Sequence, residues 1–433
     1  MQDNLVDSAV GKATRRLLPF LAFMLILAFL DRANIGFAKD DLQADTGLSD
    51  AAYAFGAGVF YIGYALFEVP SNLVLHKVGA RLWLSRIMIS WGLVSAAMMF
   101  AHTEGVFYTL RFLLGVCEAG FYPGVLLYLT YWFPAKQRAR ATGIFYLGVP
   151  LALVLGSPLS GWLLTQHGIF GLTNWQWMFL VEGLGASLVG FFALFYLTDR
   201  PEKARWLSPK ERNALTQIIV MEEAAKETHA PHSAMSVLKD LRVWAFIGIY
   251  FFFQIGSAPL TFYLPSRFAQ VASNGEMNLL IGSLLSLPWI CSAIATRYFT
   301  VLADRTNRHR LVCMGMVTAG TVALAAIGFT GNPWLMLLAA CIAVPGLTAS
   351  QPVFWSLPTH YLGGIGAASG IAFIVSIGNL GNFFAPQIKN WADVAMGNHD
   401  AGFYTLAALC GITILLLASV GKTFPGERPT TVK

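Results

Sequence analysis

The sequence predicts an all-α membrane protein: twelve transmembrane helices in two six-helix bundles. Three observations lead there. Of 433 residues, 56% are hydrophobic and only 12% charged, against roughly 25% charged in a soluble globular chain. Apolar runs of about 20 residues, the length that crosses a bilayer, recur along the whole chain. One polar stretch divides those runs six and six.

The runs lie at 16–38, 52–76, 82–102, 106–132, 139–166, 175–198, 243–269, 277–302, 311–330, 333–358, 366–391 and 401–421. Lipid offers the backbone no hydrogen-bond partners, so runs of this length are helices. Tyr131-Trp132-Phe133 and Trp175-Gln176-Trp177 mark span ends, where aromatic rings sit at the interface. The net charge of +6 is no nucleic-acid signal, because its distribution is topological. With the N-terminus cytoplasmic, only Lys39, Arg267 and Lys389 of the 29 Lys and Arg fall outside. Arg32 and Arg111 lie within spans and all the others are cytoplasmic, which places both termini inside. Five cysteines sit in or beside apolar segments without a CxxC pair, so neither a disulfide framework nor a zinc site is expected. No cleavable leader is expected either, because the first apolar run ends at Asp31-Arg32 without a small-residue cleavage site.

The polar stretch sets the domains: an N-terminal six-helix bundle over 1–198, a cytoplasmic linker over 199–242 and a C-terminal bundle over 243–433. Within the linker, Ser208-Pro209-Lys210-Glu211 reads as a helix start, with Ser as N-cap, Pro in the first position and Glu three after the cap. A basic loop follows the second span of each half, His76-Lys77-Val78-Gly79-Ala80-Arg81 and Ala303-Asp304-Arg305-Thr306-Asn307-Arg308. Parallel halves point to a secondary transporter with its substrate site near the midplane, although the positive-inside rule alone also yields basic loops.

Charges inside spans cost roughly 2.5–3.5 kcal/mol each on insertion scales and usually serve function. Six stand out: Asp31, Arg32, Glu68, Arg111, Glu118 and Glu182. At 1.5 Å per residue, Asp31 and Arg32 lie about 21–23 Å up from the cytoplasmic surface. Arg111 lies about 9 Å down from the opposite surface of a core about 30 Å thick, so it is level with them. Glu118, seven residues on, projects from the same helical face as Arg111, nearer the middle. Arg suits bidentate recognition of a carboxylate. A carboxylate buried beside Arg feels opposing influences on its proton affinity, which suits a group that takes and releases a proton. No histidine lies deep in a span, so proton coupling falls to Asp31 and Glu118. The same four charges also fit a purely structural role, as salt bridges between helices. Glu68 and Glu182 read as packing or gating residues. Tyr61 and Tyr64 in span two, Gln254 in span seven, Trp355 in span ten, and Asn379 and Asn382 in span eleven fit either a substrate site or helix packing. Pro150 and Pro158 are expected to kink span five. No metal-ligand spacing or nucleophile–base pair is evident, so no enzyme activity, metal or cofactor is implied.

The segment Phe29-Leu30-Asp31-Arg32-Ala33-Asn34-Ile35-Gly36-Phe37-Ala38 resembles the first span of the anion:cation symporter family of the major facilitator superfamily. Arg111-Phe112-Leu113-Leu114-Gly115, with Glu118-Ala119-Gly120-Phe121-Tyr122-Pro123-Gly124, resembles its fourth. The resemblance extends over essentially the whole chain and is nearest to the L-rhamnonate branch, with D-galactonate, tartrate and 4-hydroxyphenylacetate carriers also similar. It implies a monomer in a bacterial inner membrane whose partners are a small organic anion, protons and the lipid bilayer. Asp31 and Glu118 match the family's protonation sites. Arg32, Arg111 and Tyr64 match its substrate contacts, and Asn379 a polar contact in span eleven; Gln254, Trp355 and Tyr61 complete the expected set. The implied function is proton-coupled import of a small organic anion such as an aldonate. An aromatic or dicarboxylic acid, or anion exchange, remain as alternatives. Two departures matter. The loop after span two lacks the superfamily's acidic residue, which only Asp304-Arg305 retains. Val149 stands where hexonate carriers have Gln, leaving room for a less hydroxylated acid.

Overall fold

The computed structural model describes residues 2–227, 240–361 and 366–420, and no strand occurs among them. In chain order the first-half helices are α1 (Gln2–Phe37), α2 (Lys39–Thr46), α3 (Asp50–Val78), α4 (Ala80–Ala97), α5 (Glu104–Glu118), α6 (Phe121–Trp132), α7 (Ala135–Tyr146), α8 (Gly148–Leu163) and α9 (Asn174–Tyr196), followed by the linker helix α10 (Pro209–Glu227). Then come α11 (Leu241–Phe262), α12 (Leu264–Ser273), α13 (Leu279–Thr306), α14 (His309–Phe329), α15 (Pro333–Val344), α16 (Ser350–Tyr361), α17 (Gly366–Gly378), α18 (Leu380–Met396) and α19 (Ala401–Val420). Eleven of the predicted runs form helical stretches long and apolar enough to cross a bilayer. The twelfth, the span-eleven run, is built as α17 and α18 in succession. The protein is therefore an all-helical membrane protein of twelve spans.

Besides span eleven, four spans are not the single rods their hydropathy suggests, and the breaks in spans four, five and seven have a local cause. Span four breaks after Glu118, where Ala119 is extended (ψ 131°) and Gly120 is left-handed (φ 85°). A Cβ on Gly120 would sit 2.4 Å from Ser71 Oγ, so the turn requires glycine. Span five is interrupted at Leu147 rather than at either proline. Pro150 lies in the first turn of α8, and its missing N–H leaves the Tyr146 carbonyl without a helical partner. Span seven stops at Phe262 and turns at Tyr263 (φ −128°) into α12, because Pro265 cannot continue a helix past the carbonyl of Thr261. Span ten carries a π-helical segment at Pro345–Ala349.

The linker start forms as the sequence predicts. Glu211 N donates to Ser208 Oγ (3.3 Å), and Ser208 N donates to Glu211 Oε2 (2.9 Å). Ser8 Oγ and Lys12 Nζ donate to the same carboxylate at 2.7 and 2.8 Å. These bonds, led by the one from Lys12, hold the Glu211 carboxyl down at about 2. They also tie α10 to the first turns of α1, which begin well before the predicted span. Residues 228–239 of the predicted linker and the C-terminal Lys422, Arg428 and Lys433 lie outside the described residues.

The chain divides into two compact units. The first holds Met1–Asn34, Ile62–Leu153 and Gln166–Ala230. Its main seam is the crossing of α4 and α9, where backbones touch. A Cβ on Gly183 would lie 2.3 Å from Ala96 N, and one on Gly92 would lie 2.5 Å from Gly183 O. Close approach through small residues replaces the hydrophobic drive that lipid cannot supply. In the same unit Arg81 N donates to Asp199 Oδ1 (2.9 Å), so the loop that lacks its own acidic residue takes a carboxylate from beyond α9. The second unit holds Ile35–Tyr61, Val154–Thr165 and Pro231–Lys433. Its core is α11, which packs on α18 through Phe251 against Phe384 and on α19 through Gly256 against Cys410, while buried Phe246, Tyr250 and Phe253 gather around Phe354 of α16.

Candidate functional site

In the first unit, five of the predicted residues converge. Arg32 on α1 donates through Nε to Glu118 Oε1 at 2.7 Å, and its Nη2 lies 2.5 Å from the same oxygen. Glu118 is fully buried and is the last residue of α5. Its second oxygen, Oε2, is buried with no hydrogen-bond partner among the described residues. Asp31 is one residue before Arg32, about 100° around the helix, and so turns to α4 instead. Trp91 Nε1 donates to Asp31 Oδ2 (3.1 Å), while Ser95 Oγ and Asn34 Nδ2 (3.2 Å) donate to Oδ1. Arg111 is 2% exposed and lies within electrostatic reach of both carboxylates. The Arg32 guanidinium sits 5.1 Å from the Tyr64 ring and 5.0 Å from that of Phe29.

The two carboxylates thus differ in kind. Asp31 accepts from three donors spread over both oxygens. Glu118 spends one oxygen on Arg32 and leaves the other open. Sequence reasoning missed Trp91 and Ser95; their one signal is a polar pair at i and i+4 on an apolar helix. It also set Glu68 apart, whereas Glu68 stands one turn from Tyr64 within electrostatic reach of Arg32.

In the second unit, Gln254 and Asn379 meet: Gln254 Nε2 donates to Asn379 Oδ1 at 3.0 Å. Gln351, which the sequence reading did not single out as a site residue, donates through Nε2 to Gln254 Oε1 at 3.2 Å. Trp355 lies against Tyr250 (5.0 Å between ring centres). Tyr61 packs edge-on against Phe60 and Phe262. Asn382 is buried.

The same unit borders an open cavity of about 1050 Å³. Lys39, Arg267 and Lys389, the three cations that charge counting sets apart, all line it. Each has an aspartate: Lys39–Asp50 at 3.4 Å, Arg267–Asp400 at 2.9 Å and Lys389–Asp393 at 2.5 Å. Asp40 also lines the cavity and accepts from Ser266 Oγ (2.6 Å). With four aspartates to three cations, each cation of the cavity has a carboxylate within reach.

The chain matches the family model described as Major Facilitator Superfamily over residues 21–386. It is 43% identical to a protein named putative tartrate transporter from Agrobacterium vitis, over 98% of this chain and 93% of that one. It is 40% identical to inner membrane transport protein RhmT of Escherichia coli, over 96% of each. A bacterial homologue of the human lysosomal transporter Spinster superposes with a TM-score of 0.75 at 17% identity, covering 97% of this chain and 99% of that one, which is a likeness of fold. These matches accord with the anion:cation symporter resemblance read from spans one and four. The chain belongs to the Major Facilitator Superfamily and is a multi-pass membrane transporter.

Proposed function

We propose that the chain is a proton-coupled symporter that imports a small hydroxylated organic anion across the inner membrane by alternating access. The observation that carries this reading is Glu118: one oxygen on Arg32, the other buried and open. A proton taken up at Oε2 neutralises the partner of Arg32. The guanidinium then has charge to offer an incoming carboxylate, for which its planar fork is suited. When the proton leaves, Glu118 reclaims Arg32 and the anion is released. Arg111 supplies the second positive charge, and Asp31, held by Trp91, Ser95 and Asn34, fixes the position of the α1 segment that carries Arg32. In this assignment Glu118 is the proton carrier and Asp31 the permanent counter-charge, a narrower division than the sequence offered.

The substrate class follows from the two cations of the first unit, Arg32 and Arg111. The relatives are named for tartrate and for inner-membrane transport, which favours a hydroxy acid between tartrate and an aldonate in size. The working arrangement is a monomer with cytoplasmic termini, with 1–198 and 243–433 as six-helix halves joined by 199–242. Uptake of labelled tartrate and gluconate into proteoliposomes tests it. An inward proton gradient should raise uptake of at least one of them, and Glu118→Gln should remove the stimulation. Uptake indifferent to both overturns the proposal.

A further inference from the structure

The amides of the second unit form a chain with a direction. Gln351 donates to Gln254 Oε1, and Gln254 donates to Asn379 Oδ1. Gln254 is 9% exposed, and its side-chain oxygen and nitrogen each serve a protein partner. It is held on both sides, whereas Asn379 is held on one. The oxygen of Asn379 is occupied, and its Nδ2 makes no hydrogen bond among the described residues.

The backbone is shaped to make this contact. Asn379 sits at the junction of α17 and α18, between Gly378 and Gly381. A Cβ on Gly378 would lie 2.4 Å from the Tyr250 ring, and one on Gly381 would lie 2.3 Å from Phe251 O. Both glycines let α11 approach closely enough for Gln254 to reach Asn379. On the other side, the π-helical segment Pro345–Ala349 directly precedes α16. Its wider turn sets which residues of α16 face α11, and Gln351 is among them.

We infer that Gln351 and Gln254 are positioning residues that set the polarity of Asn379, so that it presents an N–H donor to an oxygen of the substrate. The inference rests on the reading that Asn379 meets the substrate. An amide relay has two polarities, and reversing one member reverses the next. Glutamate at 351 can only accept. Gln254 then turns its Nε2 to residue 351 and its Oε1 to Asn379, which donates Nδ2 inward and shows Oδ1 to the ligand. Lysine at 351 can only donate and keeps the native polarity. Glutamate at 254 accepts from both neighbours and reverses Asn379 directly.

The readout is a ratio that a general loss of packing would not move. A hydroxyl can accept from Nδ2 or donate to Oδ1, whereas a carbonyl oxygen can only accept. Binding of tartrate is compared with binding of its 3-oxo counterpart, 2-hydroxy-3-oxosuccinate, and malate with oxaloacetate, by calorimetry on purified protein. Each pair carries the same charge, so the electrostatic effect of the new side chain cancels. Gln351→Lys should leave the oxo-to-hydroxy ratio within about twofold of wild type. Gln351→Glu and Gln254→Glu should each weaken the oxo acid relative to the hydroxy acid by about tenfold, the worth of one hydrogen bond. The second glutamate variant guards against a failure of the first to fold. If Asn379→Ala alters binding while both glutamate variants keep the wild-type ratio, the relay is wrong and the substrate contact stands. If Asn379→Ala changes neither affinity nor ratio, the reading of Asn379 as a substrate contact has failed and the relay falls with it.

Discussion

Replacing Glu118 by Gln removes one negative charge and the one open carboxylate oxygen beside Arg32, and it changes little else. The amide oxygen still accepts from Arg32 across the 2.7 and 2.5 Å contacts. Charge-assisted bonds are worth about 1.5–3 kcal/mol and neutral ones about 0.5–1.5, so the variant should lose about 1–2 kcal/mol of stability and remain folded. The effect on coupling is larger. Asp31 already accepts from Trp91, Ser95 and Asn34, so of the two carboxylates Glu118 is the one with an oxygen that has no partner among the described residues. One coupled proton makes a gradient of one pH unit worth about 1.4 kcal/mol, a tenfold accumulation. The assay is labelled-tartrate uptake into proteoliposomes with the membrane potential clamped to zero. Wild type should approach tenfold accumulation for a one-unit inward gradient, and Glu118→Gln should equilibrate at onefold while still exchanging label for preloaded substrate. A Glu118→Gln protein that accumulates tenfold would refute the reasoning.

Three further outcomes follow from named contacts. Asp31→Asn turns an NH₂ toward donors that now meet a carboxylate, and leaving one such donor unpaired costs about 1–3 kcal/mol; its melting temperature in detergent should fall further than that of Glu118→Gln. Gly183→Val forces a Cβ to 2.3 Å from Ala96 N, so α4 and α9 cannot close and the yield of monodisperse protein should collapse; normal yield would show that the seam can adjust. Glu211 is held at about 2 by Lys12, Ser8 and Ser208, while an unfolded glutamate titrates near about 4.3. Its contribution is complete above the unfolded value and is lost as pH falls through the folded one. The gap in melting temperature between wild type and Glu211→Gln should therefore be constant above about pH 5 and vanish toward pH 2.

Much of this architecture is legible in one sequence because lipid imposes a coarse rule. Any backbone in the bilayer core must hydrogen-bond to itself, so length and hydropathy alone mark the spans. The same rule makes Asp31, Arg32, Arg111 and Glu118 conspicuous, and helix geometry alone puts Arg111 level with Asp31 and Arg32. What depends on neighbours is not legible. Trp91 and Ser95 look like ordinary span residues until α4 turns them to Asp31. The break after Glu118 needs Ser71 behind Gly120 to explain it. The first turns of α1 are too polar for a span search, and what secures them is Glu211, about 200 residues away. Gln351 sits beside apolar and aromatic residues just after a π-helical turn, and its contact with Gln254 exists only once α16 packs on α11. Lys39, Arg267 and Lys389 were separable by charge counting, but their gathering around one cavity is a tertiary fact.

The central claim is that anion and proton cross together, with Glu118 as the proton carrier. Its most direct test follows protons rather than substrate. Proteoliposomes in a weakly buffered medium with an external pH-sensitive dye receive a pulse of tartrate, or of gluconate, with no gradient imposed. Wild type should show a substrate-dependent external alkalinisation that is absent in Glu118→Gln and persists in Gln351→Lys. Uptake of the labelled acid in wild type without any proton movement would contradict it.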